Sequence, residues 1–178
     1  MLSSQVFLQI EFEKAGKVAG NCIVEGFEGW IELGGFGWGL KASGEANMKR
    51  NSRVEFDHFT AAKGYDRATN IFLRCLNAQD KFTAAKVVVV HGAMETGSSL
   101  EERATLVVDL SNGYLTKVDL GVSGGDKSAD ITENIDLSFQ QVKFFYYPAV
   151  SAAGGKRKPP MSLELEVDTF SMADLFGE

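Results

Sequence analysis

Hydrophobic and polar residues trade places at every second position along much of this chain. Val6, Leu8, Ile10 and Phe12 alternate with Phe7, Gln9 and Glu11, the period of a strand with one buried face. Similar alternation predicts strands over residues 31–40, 54–60, 103–110, 114–122, 131–147 and 161–170. Residues 22–26 are a further short candidate. Residues 84–91 contain four consecutive valines, Val87 to Val90, and read as a strand apolar on both faces. The most informative stretch is 131–147, ITENIDLSFQQVKFFYY. Its middle alternates cleanly, then Phe144, Phe145, Tyr146 and Tyr147 place aromatics on both faces. Both sides therefore call for cover, one from the core and the other from a partner. Pro148 ends the run because it cannot donate to a ladder.

A single helix is predicted, with Thr69 as N-cap. Ile71, Phe72, Cys75 and Leu76 then recur at helical spacing, Leu73 widens the apolar face, and Arg74 and Asn77 face away. Ser111-Asn112-Gly113 reads as a turn. Residues 13–21 read as a polar turn and residues 42–53 as a long exposed loop. Gly34 to Gly39 is dense in glycine, which in a strand marks bulges or close backbone approach. There Phe36 and Trp38 share a face and Gly37 points the other way. Taken together, the pattern predicts a mainly β protein, an antiparallel β-barrel of about eight strands with one short flanking α-helix. One domain spans residues 1–178, with a tail at 171–178.

Composition narrows the function. The 178 residues carry a net charge of −6, which argues against a nucleic-acid binder needing a basic face. No apolar run approaches the roughly 20 residues that cross a bilayer, so no membrane insertion is expected. The N-terminal sequence lacks the basic and apolar regions of a secretory signal. Two cysteines, Cys22 and Cys75, are too few for a disulfide framework. Synthesis and folding in the cytoplasm are expected.

Motifs for chemistry fail on context. Gly121-Val122-Ser123-Gly124-Gly125 fits the G-x-S-x-G elbow, but a strand follows it rather than a helix, and His58 and His91 precede the serine instead of following. The glycine run at 34–39 resembles a phosphate loop without its G-x-G-x-x-G spacing, its helix or a Walker lysine. Asp126, Asp130, Glu133 and Asp136 cluster without EF-hand spacing. The histidines and cysteines lack zinc spacing. No catalytic residue, cofactor or metal is expected, and the chain is not read as an enzyme.

Four ordered segments carry a family resemblance: the early strand VFLQIEF; Phe36-Gly37-Trp38-Gly39 after Ile31-Glu32-Leu33; the short apolar helix with Cys75 leading to Ala85-Lys86; and the glycine loop followed by ITEN and an alternating strand through Val142. In this the chain resembles the haemolysin-coregulated protein (Hcp) family, the inner-tube proteins of type VI secretion. It departs from that family in having Asn70 where a proline is common, Gly37 where a serine is common, and an unfamiliar tail at Asp174-Leu175-Phe176. The resemblance implies a homo-hexameric ring, rings stacked into a hollow tube, and export through the machine without a signal peptide. It also implies spike, sheath and effector proteins as partners. Gly37 is the candidate lumen or cargo contact. Ser43, Glu45, Asn47, Lys49, Arg50, Phe145 and Tyr147 are the candidate ring or stacking contacts. Two other readings stay open: a phage-like or other contractile tail-tube protein, and a monomeric glycan- or ligand-binding β-domain.

Overall fold

Alternation becomes strand wherever one face can be buried, and here it does so over most of the chain. The structure is a computed structural model describing residues 4–43, 53–91, 103–124, 129–148 and 159–167. Its elements are β1 (Ser4–Phe12), β2 (Gly16–Lys17), β3 (Ile31–Leu33), β4 (Gly35–Gly37), β5 (Leu40–Ser43), β6 (Arg53–Phe56), β7 (Phe59–Gly64), α1 (Arg67–Asn77), β8 (Lys81–His91), β9 (Ala104–Gly124), β10 (Ala129–Tyr146) and β11 (Met161–Glu166). The main sheet runs β2-β1-β8-β9-β10-β7-β4, with β3 also beside β1 and β11 beside β10. Its ladders are antiparallel.

One segment joins the two flanks of this sheet. β3 pairs with β1 through Val6↔Leu33, and β4 pairs with β7 through Gly35↔Ala62. Between them the Gly34 amide donates to Ala62 O at 2.7 Å. Residues 31–37 thus act as a clasp, and the sheet curls into the expected antiparallel β-barrel.

The inward-facing side chains form the main core, including Leu8, Ile10, Phe12, Phe59, Phe82, Val87, Val108, Ile135 and Leu137. Burying each such side chain contributes about 1.5–3 kcal/mol. Helix α1 packs onto this core through Phe72 and Cys75, with Phe72 tilted against Phe12 at 6.4 Å. A second apolar cluster lies on the other face of the sheet. There Phe7, Val88, Val90 and Val107 meet Cys22 and Phe27, and Phe7 stacks on Phe27 at 4.2 Å. The two clusters explain the four valines: Val87 faces the first and Val88 the second.

The structure corrects several local expectations. Ser111-Asn112-Gly113 is not a turn. Strand β9 continues through it with its register intact, because Gly113 lies opposite both Phe82 and Phe139. Asn112 does take the positive φ of a turn residue, 54°, but neighbouring strands on both sides hold the chain extended. The consequence is a change of phase. Interior positions run Leu106, Val108, Leu110 before Asn112, and Gly113, Leu115 after it. β8 changes phase in step, from Phe82 to Ala85 and Val87, and β10 does so from Phe139 to Val142. A crease therefore crosses three strands. Gly113 is required there, since a Cβ would sit 1.8 Å from Ser138 O and 2.7 Å from the Phe82 ring.

Other differences are smaller. The N-cap of α1 is Asp66, with Thr69 as its capping-box partner. Leu73 is exposed. Residues 54–60 split into β6 and β7 around Asp57 and His58, residues 13–21 contain β2, and residues 22–26 form no strand. The ends of the expected loop at 42–53 are zipped: Ala42 pairs with Val54 and Ser43 with Arg53 in a separate two-stranded ribbon. Residues 44–52 lie outside the described residues, as do 168–178.

Candidate functional site

Among the described residues, one sheet face of the barrel is bare. On β4, β7, β10 and β9 the residues pointing away from the core line up in rows set by the register. One row is Gly35, Ala62, Asn134 and Asp119; the next is Gly37, Thr60, Asp136 and Lys117. A third places Thr132 between Gly64 and Gly121. Apart from Lys117 these side chains are small or short, so the face is shallow and polar. The hydroxyls are turned onto the backbone: Thr60 Oγ1 donates to Gly37 O at 3.2 Å and Thr132 Oγ1 to Gly121 O at 3.4 Å. Lys117 and Asp119 pair at 2.8 Å. That hydrogen bond, with the attraction of the carboxylate, holds Lys117 above the usual lysine value. A depression of about 250 Å³ on this face is lined by Gly35, Phe36, Gly37, Thr60, Ala61, Ala62 and Asn134.

Gly37 is exposed within this face, while Phe36 and Trp38 turn toward the core. Its φ lies outside the left-handed region. A Cβ there would meet only Thr60 Oγ1, at 3.2 Å. Gly37 is therefore a strand residue without a side chain rather than a strained bulge.

The β5–β6 ribbon is amphipathic. Leu40, Ala42, Val54 and Phe56 share one face through the pairs Leu40↔Phe56 and Ala42↔Val54, and Lys41 and Glu55 pair on the other. Phe56 packs near Trp38 at 6.3 Å, but Leu40 and Val54 are about half exposed, at 49% and 48%. Ser43 ends β5; Glu45, Asn47, Lys49 and Arg50 fall outside the described residues. Phe145 and Tyr147 lie on the other side of the protein from the core and pack, half-buried, against the second cluster of their own chain.

Asp126 lies outside the described residues, and among those described the acidic cluster read from sequence does not converge. Asp130 is exposed, Asp136 lies on the bare face, and Glu133 is fully buried. Glu133 instead belongs to a network that the sequence reading missed. Lys63 Nζ contacts Glu133 Oε2 at 2.8 Å, Asp66 Oδ1 at 2.7 Å and Thr69 Oγ1 at 3.1 Å, and Thr69 Oγ1 also donates to Glu133 Oε2. This network ties the first turn of α1 to β7 and β10. Its one sequence signal is a glutamate in the apolar row of β10, between Ile131 and Ile135. Burial pushes the thiols of Cys22 and Cys75 above the usual cysteine value, which disfavours the nucleophilic thiolate.

Comparison with known proteins places the chain within type VI secretion. The family model described as "Type VI secretion system effector, Hcp" matches residues 7–146, and the chain belongs to the Hcp family. Similar solved structures agree in fold. A crystal structure of an Hcp protein has 13% identity and a TM-score of 0.72, covering 92% of this chain and 98% of its own. Hcp1 from Salmonella typhimurium has 17% identity and a TM-score of 0.65, with 92% and 95% covered. The secreted protein Hcp3 from Pseudomonas aeruginosa has 13% identity and a TM-score of 0.60, with 93% and 100% covered. No curated protein matches the chain.

Proposed function

We propose that this chain is a structural subunit of the type VI secretion inner tube. Six copies close a ring through a repeated head-to-tail contact, which closes when the rotation per subunit divides the circle. Rings stack into a hollow tube that leaves the cell through the machine. The observation that carries this reading, beyond family membership, is the bare face of β4, β7, β10 and β9. A wide, shallow, polar sheet face of mostly small side chains suits a lumen wall that effector cargo touches weakly and leaves. Gly37 sits on that wall. The half-covered β5–β6 ribbon suits an arm that reaches a neighbouring copy, with Ser43, Glu45, Asn47, Lys49 and Arg50 at its far end. Phe145 and Tyr147 stand as contacts at the ring or stack. Spike and sheath proteins complete the set of partners.

Light-scattering mass together with negative-stain images tests the assembly. We expect a hexamer mass and hollow rings, and a monomer mass at every concentration overturns the proposal. The variant Gly37→Arg tests the lumen assignment in the same samples. Rotating Thr60 makes room for the new side chain, so rings should persist while recovery of co-expressed effector falls. Unchanged recovery would remove Gly37 from the lumen.

A further inference from the structure

Residues 20–30 close on themselves before they touch the sheet. The Gly20 amide donates to Gly29 O at 2.8 Å, the Gly29 amide to Cys22 O at 2.9 Å and the Cys22 amide to Trp30 O at 3.1 Å. Beyond this neck the Phe27 amide donates to Val24 O and the Trp30 amide to Phe27 O, and Phe27 stands edge-on to Trp30 at 5.2 Å. Gly20 lets the two sides of the neck meet, since a Cβ there would lie 2.2 Å from Trp30 O. This is the build of a compact surface loop packed by its own side chains, with its ends close together.

The loop reaches the sheet differently. Among the described residues, none of its main-chain hydrogen bonds crosses to a strand. The chain is pinned on either side of it, by the Val18 amide on Ile10 O and by Ile31 beside Leu8. Between those pins, side chains make the join. Phe27 stacks on Phe7 at 4.2 Å. The Trp30 indole donates to the Gln9 side-chain oxygen at 3.2 Å, and Cys22 lies buried with Val88 and Val107.

Arg103, the residue before β9, fastens this join. Its Nη1 donates to Glu25 O at 2.7 Å, and its guanidinium sits 5.9 Å from the centre of the Phe27 ring. Gly26 makes room for it: its φ is 84°, and a Cβ there would lie 2.3 Å from Arg103 Nη1. The fastening is incomplete, because Arg103 Nε is buried without a partner among the described residues. An unmet buried donor is unfavourable, so the closed position is held by less than its contacts suggest.

We infer that residues 20–30 form a lid that lifts from the sheet as one piece, with Arg103 as its latch. The neck bonds stay made as it moves. Opening breaks the side-chain join and leaves the ladders beneath intact, so it belongs to the low-energy end of local openings. Lifting uncovers Cys22 and an apolar floor of Phe7, Val88 and Val107. The device lies within one chain and does not depend on the tube reading.

Thiol labelling of the full-length protein under native conditions tests this, with mass spectrometry reading Cys22 and Cys75 separately. Both thiols are buried, but Cys75 faces the main core from α1 and only Cys22 belongs to the lid. Cys22 should label well before Cys75. Its rate should hardly change in low urea, because lid opening exposes little surface, whereas that of Cys75 should rise steeply. Losing a charge-assisted hydrogen bond should make Arg103→Met label Cys22 about tenfold faster, with Cys75 unchanged. Gly26→Ala disturbs the same latch from the lid side and should act in the same direction. Equal acceleration of both cysteines would mean that Arg103 merely stabilises the whole fold, and would overturn the lid. So would unchanged Cys22 labelling in either variant, or Cys22 and Cys75 labelling together in the unaltered chain.

Discussion

The buried lysine at position 63 shows how little of a polar core is written in local pattern. Its Nζ and the Glu133 carboxylate are each fully buried and held 2.8 Å apart. Removing one partner of such a pair strands the other charge, which costs about 3–5 kcal/mol, while replacing both by apolar residues is far milder. Lys63→Met, which takes the cation from the buried Glu133 carboxylate, should therefore lower stability by about that amount in urea titration. Glu133→Leu added to Lys63→Met should recover much of it. A double variant as unstable as the sum of the singles would show that the pair is not coupled. Alternation already placed Glu133 among the inward residues. Its partner was illegible because strand β7 was read as ending at Thr60, three residues short of Lys63, and because pairing between distant strands leaves no mark on either segment.

At the scale of elements, chemistry was legible where the environment agreed with it. The helix register over Phe72 and Cys75 follows from spacing alone. Its start was placed three residues late because Asp66 and Thr69 both have capping side chains, and only the structure shows that they cap each other. Asn112 gives the converse lesson: the residue adopts turn geometry, yet ladders on both sides of β9 override the turn. Leu40 and residues 54–56 fell within expected strands, but their pairing into the β5–β6 ribbon across the polar stretch was illegible. Isolated two-stranded ribbons are at best marginal in water, so this one depends on what covers Leu40 and Val54. Shortening residues 44–52 to a tight turn should leave circular dichroism and melting of the barrel unchanged while weakening stacking or secretion. Normal tubes and normal secretion from that variant would reduce the segment to a connection.

For the whole molecule, the class was legible because strand patterns add up along the chain. The strands that close the barrel were not, because that depends on which edges meet. Among the described residues, the barrel closes through residues 31–37, by a short ladder to β1 on one side and another to β7 on the other. The long ladder between β9 and β10 is the opposite extreme. Opening energies vary within a protein and are lowest where few hydrogen bonds and contacts must break together. Hydrogen–deuterium exchange should thus reach amides 32–36 well before those of 133–143, and the reverse order would show that the barrel parts elsewhere. Seen mechanically, the wall is a continuous sheet fastened by a single buckle. Strain on the cylinder falls first on these two short ladders and the Gly34 amide between them, so releasing the buckle widens the molecule without unfolding any of its longer strands.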